Sequence, residues 1–393
     1  MRLIFATLIP LCVLAAGCND TDTNNGAADQ QAEAGAQAPD NNGADTMASN
    51  DNAPADAVAD SEPRPVMQMQ VVLERLGFAP GVIDGKEGAS LSNALKGFQE
   101  SRGLAVTGTL DEVTRSALGE FGKIPATRIV TIPADWGQIA FAKLPEAAAD
   151  KAKLESMAYE SMAEKLAERF HTTPAVLAQL NPGGMPAGMG SAAPAATPAA
   201  TPAANQATGE PAVPTFGAGQ QIRVPNVGAD RIDASLVDND AWRDTLRSLG
   251  VGTEQPKVAR ILVDESEGWL KAYDEADKLV AMFTVTTGSK HDPLPIGDWK
   301  IKGKAYNPTY AFNPELLRGV DASEGKHQLP AGPNSPVGVV WIDLSKDHYG
   351  IHGTPSPETI GRAESNGCVR LTNWDAARLA LMVSPSTKVT FQK

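Results

Sequence analysis

His348 to Val383 reads HYGIHGTPSPETIGRAESNGCVRLTNWDAARLALMV. The stretch opens on a short strand, YGIHGT, and crosses a loop rich in Pro, Ser and Gly. It closes on a helix, NWDAARLALMV, with Asn373 as its expected cap. Between loop and helix stands Cys368, in SNGCVR. His352 lies sixteen residues earlier, and a loop of that length between two strands can bring their ends together. The thiolate is the reactive form of cysteine, and a neighbouring imidazole can hold it as an ion pair at neutral pH. Spacing alone does not separate such a pair from a chance one.

The texture around this stretch is β. VARILVDESEGWLKAYDEADKLVAMFTVTTGS alternates apolar and polar residues over three runs, split by SEG and EAD turns. IGDWKIKGKA, VGVVWIDL and KVTFQK are further strands. Short strands with one or two helices over 257–393 argue for a mostly-β sandwich or barrel, with Trp299 and Trp341 in its core. His291 and His327 fall in loops and read as surface residues. His348 and His352 are four apart, which invites a metal. No Glu lies between them, Gly350 argues against a helix and no third ligand is apparent, so neither metal nor cofactor is expected.

Upstream the chain changes character. Its 393 residues suggest two or three domains. Residues 1–17 have a basic start at Arg2, then an apolar run too short to span a bilayer, ending in LAAG before Cys18. This resembles the lipobox of bacterial lipoproteins. The resemblance implies lipidation of Cys18, removal of the leader and passage to the outer membrane. Of three cysteines, Cys12 would leave with the leader and Cys18 would carry lipid. Cys368 would then be the single free thiol of an exported protein, unless buried a liability there. Residues 18–63 hold ten Asp/Glu and no Lys/Arg, so the net charge of −13 belongs mostly to this segment. Its composition predicts a disordered, self-repelling tether. The near-balanced remainder gives no nucleic-acid footprint.

Residues 64–122 predict three helices. Met69, Val72, Leu73 and Leu76 line the first, and Leu91, Ala94, Leu95 and Phe98 the second; Thr109 or Asp111 is placed to cap the third. The L-x-x-L-G of Leu73–Gly77, the Asp84-Gly85 turn, Phe98-Gln99 and Thr107-Gly108 resemble the small all-α peptidoglycan-binding domain. Within 123–228, DKAKLESMAYESMAEKLAERF predicts one long helix, with a turn at His171–Pro174, a second helix and a late strand, GQQIRVP. This is similar to the second half of an α+β LysM module, although RIVTIPADWGQIAF matches an ordinary LysM opening poorly. His171 reads as a helix-end residue. A Pro/Ala-rich insertion occupies 183–217. Within 229–256, DASLVDNDAWRDTLRSLGV (233–251) predicts a helix linking to the last domain, 257–393.

That last domain resembles the catalytic domain of YkuD-type L,D-transpeptidases. His-Gly-Thr at 352–354 and Ser-x-Gly-Cys-Val-Arg at 365–370 carry the resemblance, with VTTGSKHDPLPIGDWKIKGKAYNPTYAFNP and LPAGPNSPVGVVWIDL extending it. It implies Cys368 as nucleophile and His352 as the base that takes and returns the proton. Backbone N–H groups at Gly367 and Cys368 would stabilise the oxyanion. Ser365 matches the family's small hydroxyl residue, and Gly353 would orient His352 through its carbonyl. Arg370 would hold either a substrate carboxylate or the loop itself. Asn366 stands where histidine is commonest, and LPIG (294–297) where Thr-Pro-x-Gly is usual, a change expected to be structural.

The implied partners are peptidoglycan stem peptides and glycan, and the membrane through the lipid. The implied reaction is acyl transfer from a stem tetrapeptide through a Cys368 thioester. D-Ala leaves, and the acceptor is a second stem, a lysine of an envelope protein, or water. The opposing expectation is a non-catalytic wall-binding anchor, which would not need both Cys368 and His352.

Overall fold

The computed structural model describes residues 58–189, 213–228, 231–317, 319–365 and 367–393. The leader, Cys18, nearly all of the tether, most of the Pro/Ala insertion and Asn366 lie outside them. Among the described residues no helix is long and apolar enough to cross a membrane.

Region 64–122 forms α1 (Pro65–Arg75), β1 (Phe78–Ala79), α2 (Ala89–Ser101) and α3 (Glu112–Leu118). Pro65 occupies the first turn of α1, where its missing N–H costs nothing. Asp111 caps α3, accepting the Thr114 N–H at 2.8 Å. Leu73, Leu91, Ala94, Leu95 and Phe98 are buried as their spacing predicts. The region is not all-α, because β1 leaves it to join the C-terminal sheet.

The next region contains β2 (Thr127–Thr131), α4 (Ala148–Lys151), α5 (Met162–Arg169), α6 (Pro174–Leu180) and β3 (Gln221–Pro225). Two expectations change here. The single long helix is broken, because Ser161 starts a new one by accepting the Glu164 N–H. The intervening chain bonds elsewhere: Met157 N–H donates to Ala331 O at 2.8 Å, and Asn334 N–H to Met157 O at 3.0 Å. The poorly matching RIVT is a strand, antiparallel to β3 from Thr127↔Pro225 to Thr131↔Gln221. His171 does end α5, with φ +53, and it is buried.

Helix α7 (Asp240–Leu249) begins at Asn239, which accepts the Trp242 N–H. Expected as a linker, it instead buries Trp242, Leu246 and Leu249 in the core of the C-terminal domain. That domain contains β4 (Arg260–Asp264), β5 (Trp269–Tyr273), β6 (Leu279–Thr284), β7 (Gly297–Tyr306), β8 (Tyr310–Phe312), β9 (His327–Leu329), β10 (Val340–Leu344), β11 (Gly350–His352), β12 (Val369–Arg370), α8 (Asn373–Met382) and β13 (Lys388–Gln392).

In place of the expected sandwich stands a nine-stranded mixed sheet, ordered β1-β6-β5-β4-β13-β7-β10-β11-β12, with β8 and β9 paired as a separate two-stranded sheet. Strand β7 is ten residues long and serves both halves. Gly297–Lys300 pair with β13, and Ile301–Tyr306 with β10. The sheet curls so far that Thr286, just after β6, exchanges two backbone hydrogen bonds with Arg370 of β12, at 2.8 and 3.0 Å. Leu294, at the LPIG departure, is buried in the enclosed core. The expected cap of α8 also changes. Thr372 caps it, accepting the Asp375 N–H at 3.1 Å and donating its hydroxyl to the Asp375 carboxyl at 2.9 Å. Asn373 is thereby free for another use.

The regions share cores. Leu73, Phe78 and Phe98 pack with Trp269 and Met282 of the sheet, while Met67, Val71 and Ile83 pack with Leu166 and Phe170. All three regions meet at a buried polar knot. Glu74 on α1 binds Arg378 on α8 at 2.7 Å and the His171 ring at 3.2 Å. His171 stacks on Trp374, 4.7 Å between centroids and 3° from parallel. Burial pushes the Glu74 carboxyl up, but Arg378 and His171 outweigh it and hold the group below the ordinary glutamate value. Asp375 sits beside it, pushed well above the ordinary aspartate value by burial and by the Glu74 charge. Arg378→Met would leave Glu74 buried without its cation. It should cost about 3–5 kcal/mol in urea unfolding. The double variant Glu74→Gln/Arg378→Met should cost less than the two single changes together.

Candidate active site

Three neighbouring strands build the site. In the β10–β11 register Trp341 stands opposite His352, and in the parallel β11–β12 register His352 stands opposite Arg370. Register partners share a face of a sheet, so these three side chains form a row. Cys368 lies immediately before β12, in the bend that leads into Val369. Strand pairing therefore brings the two ends of the 353–367 loop together, as the loop length allows.

Each group is held by a local contact. The His352 ring bonds the Gly353 carbonyl through Nδ1 at 2.7 Å, which assigns the proton to Nδ1 and leaves the Nε2 lone pair free. Trp341 is half-buried, not the core residue expected, and stacks on His352 at 5.2 Å. Ser365 is buried and donates its hydroxyl to the Cys368 carbonyl at 2.6 Å, while its N–H bonds Thr287 O at 2.9 Å. It pins the nucleophile loop. Gly367 adopts φ +96, and a Cβ there would lie 2.7 Å from the Tyr349 ring, so only glycine fits. Cys368 is partly exposed, and its Sγ donates to the carbonyl of exposed His348 at 3.8 Å. Arg370 leaves its Nε buried without a protein partner among the described residues.

The electrostatics correct one expectation. Burial, with the nearby Arg370 charge, lowers the His352 pKa to about 4. Burial raises the Cys368 thiol above its ordinary value, although a Gly350 backbone hydrogen bond and Arg370 pull it back in part. At neutral pH the resting pair is therefore a neutral thiol and a neutral imidazole, not an ion pair. Desolvation penalises both charged forms, and among the described residues no carboxylate compensates the imidazolium. A neutral imidazole with a free Nε2 is competent as a general base.

Tyr310 on β8 was not singled out by its sequence. Burial raises its pKa, the Cys368 charge raises it further and Arg370 lowers it, so Tyr310 belongs to the same electrostatic neighbourhood. Its signal is tertiary, since an isolated tyrosine in YNPTYAF looks like any strand residue. His291 is exposed, as expected, whereas His327 lies on β9 rather than in a loop and bonds Glu324 O at 2.7 Å. Two cavities flank the loop between His352 and Cys368. One, of about 480 Å³, lies between Pro355–Glu358 and the 144–174 segment. The other, of about 270 Å³, lies between 358–362 and the 80–91 segment.

The curled mixed sheet carries His352 on β11 and places Cys368 just before the paired strand β12, so a thiol and an imidazole meet at one edge of the sheet. Residues 259–391 match the family model of the L,D-transpeptidase catalytic domain, and 63–118 match a "Putative peptidoglycan binding domain". The chain thus carries both kinds of domain. It is similar to "Putative L,D-transpeptidase YkuD" of Bacillus subtilis, 49% identical over 97 residues, which is 22% of this chain and 59% of that protein. It is also similar to "Probable L,D-transpeptidase YbiS" of Escherichia coli K12, 29% identical over 137 residues, 33% of this chain and 44% of that one. The matches therefore span less than two thirds of these relatives. A solved L,D-transpeptidase from Mycobacterium smegmatis aligns at 18% identity and TM-score 0.28, over 34% of this chain and 58% of that one.

The neutral resting pair has a direct test. The ultraviolet thiolate absorbance, taken as wild type minus Cys368→Ala, should be absent at pH 7 and appear only above pH 9.0, the ordinary thiol value. Arg370→Met removes a positive charge, so it should raise both the thiol and the imidazole pKa. Thiolate already present at pH 6 would contradict the neutral assignment.

Proposed function

We propose that this protein is a peptidoglycan L,D-transpeptidase of the cell envelope. The observation that carries the reading is His352, with Nδ1 tied to the Gly353 carbonyl and Nε2 free, on the strand paired with the one that follows Cys368. The match over 259–391 supports the same chemistry. Cys368 Sγ attacks the carbonyl of the third residue of a stem tetrapeptide, a diamino acid, while its proton passes to His352 Nε2. The S–C bond forms and the C–N bond to terminal D-Ala breaks, and the histidine returns the proton to the leaving amine. An amine of a second stem then attacks the thioester, releasing the thiol and leaving a cross-link between third residues.

The other site residues take roles consistent with their contacts. Backbone N–H groups at Gly367 and Cys368 are the proposed oxyanion donors. The unpaired Nε of Arg370 favours its reading as a receptor for a substrate carboxylate. The helical 64–122 region is proposed to bind the wall. The two antiparallel strands β2 and β3, with α5 and α6 between them in the chain, support a LysM-like glycan-binding reading of 123–228, to which α4 is an addition. Cys18 is the proposed lipid site, anchoring the chain to the outer membrane.

Incubation with tetrapeptide muropeptides, followed by mass spectrometry, tests this. Wild type should release D-Ala and form cross-linked dimers. Cys368→Ala should do neither, and His352→Ala should slow acylation by about 10²–10⁴-fold. D-Ala release without dimers would make water the acceptor. No release and no adduct on Cys368 would leave a wall-binding anchor.

A further inference from the structure

We propose that Glu168, on α5 of the LysM-like region, is a positioning residue for His352, acting through Asn373 and Gly353. The inference rests on His352 serving as the base. It makes the LysM-like region a structural arm of the active site in addition to any wall-binding role.

Asn373, released from capping α8, spends its whole amide on this link. Its Nδ2 donates to Glu168 Oε1 at 2.6 Å and to Pro333 O at 3.1 Å. Its Oδ1 accepts the Val339 N–H at 3.2 Å. These partners assign the amide without ambiguity, since the oxygen faces a donor and the nitrogen faces two acceptors. The same Oδ1 lies against Gly353, where an added Cβ would sit 2.2 Å from it. Gly338, at φ +61, is equally close at 2.0 Å, so two glycines leave space for one side-chain oxygen. Gly353 is the residue whose carbonyl fixes the His352 ring.

Glu168 is itself anchored. It is buried, and its second oxygen accepts the Tyr159 hydroxyl at 2.5 Å. The brace therefore runs from Tyr159 through Glu168 and Asn373 to the backbone that orients the base. A buried amide deprived of its acceptor must seek another, and the segments it holds (Pro333, Val339 and Gly353) shift with it. A displacement of about 1 Å at a catalytic group can cost roughly a hundredfold in rate.

The test needs no peptidoglycan. Acylation of Cys368 by a small activated aryl ester is followed by chromophore release and by mass, across pH, on the full chain. Glu168→Met keeps the volume and removes the acceptor, and Glu168→Gln restores an acceptor. Glu168→Met should acylate about 10–100-fold more slowly than wild type. The acid limb of its pH profile should move up from about 4 toward the ordinary histidine value of 6.5 as the ring loosens and hydrates. Glu168→Gln should recover most of the rate. Should Glu168→Met not fold, Asn373→Ala breaks the same link from its other end and should show the same rate loss and limb shift. The proposal is overturned if a folded Glu168→Met keeps the wild-type rate and limb, or if Glu168→Gln is slowed as much. His352→Ala separates the two levels. If it acylates like wild type, the base assignment itself has failed; if it is slow while Glu168→Met is normal, only the brace has failed.

Discussion

The buried contact between Glu74 and Arg378 is the constraint on which the arrangement depends. The two residues are 304 positions apart in the chain and belong to its first and last folded regions. An ionised carboxylate without a partner in that position would cost several kcal/mol. The first helix must therefore dock where α8 presents its guanidinium. His171 closes the third side by bonding Glu74 and stacking on Trp374. Hydrophobic burial then follows the same geometry, since the apolar clusters on either side of the knot each draw residues from more than one region. Burial and the Glu74 charge both push the Asp375 carboxyl well above the ordinary aspartate value, which disfavours a second buried charge there.

This docking changes what the two N-terminal regions mean for the site. Separate wall-binding modules on flexible links would act by raising local substrate concentration. Here β1 adds a parallel strand to the C-terminal sheet through Phe78↔Met282 and Ala79↔Phe283, and Met157 bonds the 331–334 backbone. Any polymer held by these regions is then presented at a fixed place relative to the loop between His352 and Cys368. Fixed presentation lowers the orientational entropy lost on reaction.

The same burial that joins the regions sets the protonation of the site. Enclosed by the curled sheet, neither the thiolate nor the imidazolium is solvated well enough to persist at rest. Arg370 assists the thiolate and opposes the imidazolium, while the Gly353 hydrogen bond restores part of the basicity that His352 needs to accept a proton.

Much of this was legible locally. Alternation marked β4, β5 and β6, helical spacing marked α2, and Cys368, His352 and the Gly353 carbonyl could be named from one short stretch. These features depend on residues within a few positions of each other, where backbone periodicity and turn chemistry act directly. The capping of α8 was misassigned by one residue because Thr372 and Asn373 are both good caps, and only the demand of Glu168, 205 residues away, decides between them. Trp341 looked like a core residue and Tyr310 like an ordinary strand residue, because strand order is invisible in a linear pattern. The sequence by itself determined which residues are the candidates for the chemistry, since motif and spacing are properties of the chain. Tertiary structure decided that the cysteine–histidine pair rests uncharged and that distant regions brace it, because desolvation and long-range contacts exist only once the chain has closed around them.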